Sequence, residues 1–305
     1  MPSELPTAQL ACVGVRFLPA LPVGRHEPGH ASRPLPVDPR PSGCYLGTAM
    51  GENIGKNDRW DDIWAEKRKT ASGRVTSAFA KDIVYRTVDY ILRREVPDPC
   101  GKRILEVGSG TGLVSLALAR RGAKVTLCDI SPAALEFSRT AFARAGSEGE
   151  TVQGSILDLP FEDGAFDVTW NAGVIEHFEG AEQLRALREM LRVTKPDGRI
   201  VVAVPWSGAR IYLRAKKFAD SRGAWQPGYE APIASFKEIA PRIPATIVTE
   251  YSTGFLAQLH FMKYYFARPR WLKLAWVGLV EAMSLPLFLA NRRPGYLLVA
   301  VMKRQ

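Results

Sequence analysis

The sequence has only four cysteines, Cys12, Cys44, Cys100 and Cys128, and none stands at a paired spacing. That argues against a disulfide framework and against a zinc site, so a cytoplasmic, reducing compartment and no bound metal are expected. Cys128 closes an apolar run and reads as a core residue. Long apolar runs are equally scarce. The best of them, Leu274–Ala290, is interrupted by Glu281 and Pro286 and is short for a bilayer crossing. A packed cap helix is expected there, with peripheral membrane contact through 256–290 as the alternative. There are no internal repeats. The beginning lacks the form of a signal peptide, because Glu4 stands early and prolines break the apolar stretch 10–21.

What is present is a chain of 305 residues, 46% hydrophobic, with a net charge of +10. That length suits one large domain with insertions or two small ones. The charge is uneven. Residues 1–99 carry 14 basic and 12 acidic groups, residues 100–205 carry 12 and 14, and residues 206–305 carry 15 and 5. The last third therefore holds the whole excess, together with 16 of the 29 aromatic residues. Such a segment suits an anionic substrate, a membrane surface or nucleic acid, or else a solvated face over an aromatic core.

Four regions follow from composition. Residues 1–49 form a proline-rich leader, expected to stay unstructured because it buries too little apolar surface to offset ordering entropy. Met50 opens more ordinary sequence and marks a second candidate start. Residues 50–99 read as a helical cover. Trp60 and Trp64 share a face at i, i+4, with core packing the expected use and a lid over a ligand mouth the alternative. Apolar residues recur at helical intervals over 75–96, up to the break at Pro97.

Residues 100–205 alternate short apolar strands, at 103–107, 124–128, 151–153, 166–170 and 199–204, with helices at 113–121, 132–145 and 181–193. That alternation indicates an α/β, doubly wound, mostly parallel sheet. Residues 206–305 form a basic aromatic cap. It holds a basic helix at 209–219, a loop at 225–229, a broken helical stretch at 256–290 and two late strands at 246–251 and 295–302.

The first strand runs into Ile104-Leu-Glu-Val-Gly-Ser-Gly-Thr-Gly112. Glycine permits positive φ and lets a ligand approach the backbone closely, and the helix start behind the turn offers unpaired N–H groups. The spacing is G-x-G-x-G, not the dinucleotide G-x-G-x-x-G, since residue 113 is Leu. Asp129 lies 21 positions after Gly108, at the end of the second strand, where a carboxylate can accept both hydroxyls of a ribose. NAD and other adenosine ligands satisfy these features equally.

Two further stretches carry a family resemblance: Gly154-Ser-Ile-Leu-Asp-Leu-Pro-Phe161 followed by Asp163-Gly-Ala-Phe-Asp167, and Asn171-Ala-Gly-Val-Ile-Glu-His-Phe178. Together with Glu106–Gly112 and Asp129 they resemble class I S-adenosylmethionine-dependent methyltransferases of the type 11 group, over about residues 100–205. The segment Gly295–Lys303 resembles that family's seventh strand, so a seven-stranded, Rossmann-like methyltransferase fold is implied. The resemblance implies S-adenosyl-L-methionine as cofactor. It places Glu106 near the methionine amino group, Gly108, Ser109, Gly110 and Gly112 against the cofactor, Asp129 on the ribose and Ile130 beside the adenine. Ser155 and Ile156 fall at the adenine edge. Many relatives carry Asp at position 155, so Asp158 is the candidate for the missing charge. Asn171 is expected to line the methionine part.

Methyl transfer from a sulfonium needs alignment above all, and a base only when the nucleophile carries a proton to be lost. His177 is the candidate base and Glu176 its orienter or a substrate contact. His26 and His30 fall in the leader and His260 in the cap.

The acceptor classes in view are a small molecule, a glycan or a lipid-linked intermediate. C-methylation of a membrane quinone or lipid by a peripheral enzyme is the second reading. A non-catalytic adenosylmethionine-binding regulatory protein is the third. A nucleic-acid acceptor is not expected, because no Asp/Asn-Pro-Pro-Tyr/Phe motif follows the fourth strand.

Overall fold

The computed structural model describes residues 60–65, 82–225, 227, 229–266, 269–284 and 288–305. The leader at 1–49 and the helical pattern at 75–81 fall outside these residues. Seven strands form one sheet in the order β3-β2-β1-β4-β5-β7-β6. They are β1 (Arg103–Val107), β2 (Lys124–Asp129), β3 (Glu150–Gln153), β4 (Phe166–Ala172), β5 (Thr194–Pro205), β6 (Ala245–Thr253) and β7 (Leu297–Arg304). The first five run parallel, and β7 lies antiparallel between β5 and β6.

Alternation along the strands explains the layers. In β5 and β7, Ile200, Val202, Val204, Leu298, Ala300 and Met302 enter one apolar cluster. Val201, Ala203, Leu297, Val299 and Val301 enter the other. Successive side chains point to opposite faces, so a strand apolar at every position requires cover on both sides. Helices α1 (Ile83–Glu95), α2 (Leu113–Ala119) and α3 (Pro132–Arg144) supply residues to one side. Helix α4 (Gly180–Val193) supplies the other with Leu184, Leu187, Met190 and Leu191. Trp170 and Phe166 are fully buried, each worth about 2–3 kcal/mol of apolar transfer.

The strand expected at 199–204 begins earlier, at Thr194, which pairs with Phe166; the register with β4 then shifts before the Val168–Arg199 pair, leaving Lys195–Gly198 as extra residues on β5. One expectation is overturned: Cys100 is disulfide-bonded, whereas the buried Cys128 keeps a free thiol. Cysteine spacing along the chain carried no trace of that bond, since pairing depends on approach in space.

The cap is held by a polar hub. Asn291 Oδ1 accepts from the N–H groups of Leu256 and Ala257 at 2.9 and 3.1 Å, and its Nδ2 donates to Thr87 Oγ1 at 2.7 Å. Its carbonyl accepts from the Gly254 and Phe255 N–H groups. The basic helix is α5 (Arg210–Asp220), and the broken helical stretch becomes α6 (Ala257–Phe261), α7 (Arg270–Ser284) and α8 (Phe288–Asn291). Among the described residues, no helix is long and apolar enough to cross a membrane.

Candidate functional site

Strands β2 and β4 flank β1 in the sheet, while the chain passes from β3 across to β4. The carboxyl ends of β1 and β4 thus mark a topological switch point, where open α/β sheets bind ligands. The glycine turn lies there. Gly108, Gly110 and Gly112 have φ of 67°, 51° and 63°, a region that L side chains rarely adopt. The N–H groups of Gly108 and Ser109 both donate to the Cys128 carbonyl, at 2.8 and 3.1 Å, tying the turn to β2. A Cβ at Gly108 would fall 2.5 Å from Val174 Cγ2, and one at Gly112 would fall 2.8 Å from Leu127 Cδ1.

Asp129 braces this turn from the end of β2. Its Oδ2 accepts the Gly110 N–H at 2.8 Å and its Oδ1 accepts the Ser131 N–H at 2.9 Å. Burial raises its pKa, while these backbone bonds oppose the rise. Each carboxylate oxygen keeps a further lone pair for a ligand hydroxyl. Below the turn Glu106 is buried, and desolvation pushes its carboxyl up to about 8 against the pull of neighbouring Ser115. Glu106 Oε2, Ser109 Oγ and Asn171 Oδ1 are buried atoms without a hydrogen-bond partner among the described residues. Three such atoms on the ends of β1 and β4 and in the turn between β1 and α2 are a costly arrangement for an empty core, and one suited to a polar ligand.

The short helical segment 60–65 crosses this crevice, so the tryptophans do not serve the core packing that their spacing suggests. Trp64 lies against the turn, where a Cβ on Gly110 would come within 2.6 Å of its ring. Trp60 meets the His177 ring edge-on, 5.1 Å between centroids. Between them, Asp61 Oδ1 accepts from Ser131 Oγ at 2.7 Å and from the Ala133 N–H at 3.1 Å, at the start of α3. Asp61 carried no sequence signal, because a carboxylate between two aromatic residues looks like any solvated helix position.

After β4 the chain makes a 3-10 turn at Ile175–His177. His177 Nδ1 stands 2.6 Å from the Tyr229 carbonyl oxygen. A carbonyl only accepts, so Nδ1 carries the proton and Nε2 presents its lone pair. Burial, with Lys216 adding repulsion, lowers the His177 pKa to about 4, so the ring is neutral at physiological pH. The orienting contact therefore comes from Tyr229. Glu176 is buried, has a carboxyl oxygen without a hydrogen-bond partner among the described residues, and is raised well above the usual carboxylate range by desolvation, with Glu230 adding to the rise.

The cap closes the far side. Ala231 N–H donates to the Glu176 carbonyl at 2.9 Å, laying loop 229–231 along the turn. Tyr212 O–H donates to Glu230 in a short bond. The Tyr212 ring packs edge-on against Trp225 and Phe261 and tilted against Tyr296, with centroids 4.8–6.0 Å apart. Lys216 Nζ stands 5.3 Å from the Trp225 ring. The sequence marks 225–229 only as a loop and gives no signal for Tyr212, whose helix reads only as basic.

Not every expected residue converges. Ile130 is half-buried behind Asp129, and its carbonyl accepts from Gln153 Nε2 at 3.2 Å. Ser155 Oγ accepts the Leu157 N–H at 3.2 Å and so caps its own turn. Ile156 is buried in the core, and Asp158 is exposed. Asn171 directs its Nδ2 to Met190 Sδ at 3.1 Å, which leaves its Oδ1 as the unpartnered end of the amide.

A polar cleft of about 260 Å³ opens at the opposite, amino-terminal end of the strands, between Lys102, Asp167, Arg199 and Lys303. That end does not bind ligands in doubly wound sheets. Among the described residues, one group has cation-ligand spacing: Asp82, His260 and Glu281 in the cap. There Lys263 Nζ already stands 2.6 Å from His260 Nε2, and Asp82 caps α1.

Residues 105–202 match the family model described as a methyltransferase domain. The demethylmenaquinone methyltransferase of Clavibacter sepedonicus is 42% identical over 110 residues, covering 36% of this chain and 43% of that protein. The chain spans about half the length of the curated relatives it matches. Among solved structures, a geranyl diphosphate methyltransferase in complex with S-adenosylmethionine matches with a TM-score of 0.52 and 14% identity, covering 77% of this chain and 92% of that one. The [4+2]-cyclase SpnF matches with a TM-score of 0.51 and 20% identity, covering 72% and 80%. At such identities the structures establish the shared fold, and that fold hosts more than one chemistry. Residues 105–202 thus carry a methyltransferase domain, and the chain is similar there to proteins described as methyltransferases.

Proposed function

We propose that the protein transfers a methyl group from S-adenosyl-L-methionine to a small-molecule, glycan or lipid-linked acceptor. The observation that carries this reading is the glycine turn braced by Asp129 above Glu106, whose buried carboxyl oxygen has no hydrogen-bond partner among the described residues. The donor set fits the cofactor. Glu106 offers its unpartnered carboxyl oxygen to the amino group, the turn at Gly108–Gly112 lets the backbone approach closely, and Asp129 keeps lone pairs for the ribose hydroxyls. Ile130, next to Asp129, flanks the adenine side, whereas Ser155, engaged in its own turn, and Ile156, buried in the core, are not assigned to it. When bound, the cofactor supplies an electrophilic methyl group on a sulfonium.

The chain's own work is alignment and proton removal. His177, held by Tyr229 in the tautomer with Nε2 unprotonated, takes the proton of an O–H or acidic C–H nucleophile. Its depressed pKa makes it a weak base, suited to an acceptor whose own acidity rises as the new bond forms. Segment 60–65 covers the crevice and excludes water. Within this reading, the relatives described as demethylmenaquinone methyltransferases support a quinone-like carbon acceptor.

The test has two stages. Calorimetry with S-adenosylmethionine and S-adenosylhomocysteine should show binding. Radiolabelled methyl transfer over phenolic, quinol, glycan and amine acceptors should then show turnover. Binding without turnover over that panel supports a regulatory binding protein instead.

A further inference from the structure

Helix α7 carries two apolar stripes. Trp276 and Val280 turn inward, where Trp276 Nε1 donates to the Leu259 carbonyl at 2.8 Å and Val280 joins Ile83, Leu256 and Ala257. One inward stripe is what a surface helix needs. The outward positions are Trp271, Leu274, Ala275, Gly278, Leu279, Ala282 and Met283. All seven are exposed, and none has a polar side chain. They recur at i, i+3, i+4, i+7, i+8, i+11 and i+12, a continuous stripe about 20 Å long. Trp271 is 64% exposed and Leu274 61%. Leu289, at 69%, lies in the neighbouring α8, whose Ala290 packs on the same inner cluster as Val280. A monomer in water rarely presents so contiguous an apolar strip.

Charge identifies the occupant. Arg270 and Lys273 stand at one end of the stripe and Arg292 and Arg293 follow α8. The only acidic residue between Arg270 and Arg293, Glu281, is half-buried. A second copy of the chain, paired across a two-fold axis, would bring these cations against their own copies. A bilayer with anionic headgroups accepts both features, apolar side chains below the headgroup level and cations among them. We infer that the outward face of α7, with Leu289 and the flanking arginines, is a docking surface for an anionic lipid bilayer, lying in its plane rather than crossing it. This inference is independent of the catalytic reading, because vesicle binding requires neither cofactor nor acceptor.

The test is co-sedimentation of the full chain with phosphatidylcholine vesicles and with vesicles containing about one-third phosphatidylglycerol. Binding to the anionic vesicles is expected, at least about tenfold weaker on neutral ones and weakened by salt. The double variant Leu274→Glu with Leu279→Glu should lose binding about tenfold or more. Both positions are exposed, and an unchanged thermal transition checks its fold. A second variant, Arg270→Gln with Arg293→Gln, should lose the preference for anionic vesicles while keeping the weak neutral binding. The inference is overturned if the wild type stays in the supernatant with anionic vesicles. Wild-type-level binding by the Leu274→Glu, Leu279→Glu variant also overturns it. So does a dimer without vesicles that this variant converts to monomer, with no vesicle binding by the wild type.

Discussion

The sheet edge at 100–205 and the cap at 206–305 build their halves of the site by different means. In the first, position along the backbone decides everything. A strand ends, three glycines take positive φ, and Asp129 accepts two backbone N–H groups that hold the turn in shape. In the second, side chains decide. Tyr212 on α5 reaches Glu230 across 18 positions, and aromatic rings fill the space between helices. In the proposed function, a cofactor common to many enzymes uses the first kind of construction, and an acceptor particular to one enzyme uses the second. Substitutions in the two regions should therefore fail differently.

The largest effect is expected at their junction. His177→Ala should lower turnover about 10²–10³-fold for an acceptor with a proton to lose, while calorimetric cofactor affinity stays within about threefold. Equal losses in both would place His177 on the cofactor side of the comparison. Asp129→Ala comes next. It removes the partner of two buried backbone donors as well as the proposed ribose contact, so cofactor affinity should fall by about 2–3 kcal/mol. An unchanged dissociation constant would refute its assignment.

Glu106 provides a pH test of the same region. Its folded pKa, about 8, lies above the ordinary 4.5. The folded state therefore holds a proton that the unfolded state releases between those values. Stability from this group is complete below about pH 4.5 and declines as pH rises towards 8, by up to about 1.4 kcal/mol per unit. Thermal melts of the cofactor-free protein should show that decline, and Glu106→Gln should flatten it. The smallest effect belongs to the cap. Glu230→Gln should raise the acceptor KM by roughly fivefold, through a loss of about 1 kcal/mol, and leave cofactor affinity unchanged. A matching loss of cofactor binding would erase the distinction between the two regions.

The same distinction explains what the sequence disclosed. Strands β1 to β5, the glycine turn and Asp129 were legible because period-two and helical patterns, strand ends and glycines are local features. The tryptophan pair was visible at i, i+4, but its use was not. Spacing reports a shared face, whereas only the tertiary path shows that the face meets Gly110 and His177 rather than the core. The Glu230–Tyr212 pair and the Tyr229 contact to His177 join loop to helix and loop to loop, and no periodicity connects such positions. Ser155 shows the reverse case, a motif position found easily whose hydroxyl is engaged in its own turn. The α7 stripe was legible as apolar, yet its outward direction depended on knowing which face Trp276 and Val280 had taken.

The crevice beside Asp129 is the proposed site for a sulfonium nucleoside, and calorimetric titration of the purified protein reads this directly. S-adenosylmethionine and S-adenosylhomocysteine should each bind with one-to-one stoichiometry, and Asp129→Ala should abolish most of the heat. Binding of NAD in their place, with neither sulfur nucleoside giving a signal, would contradict the account.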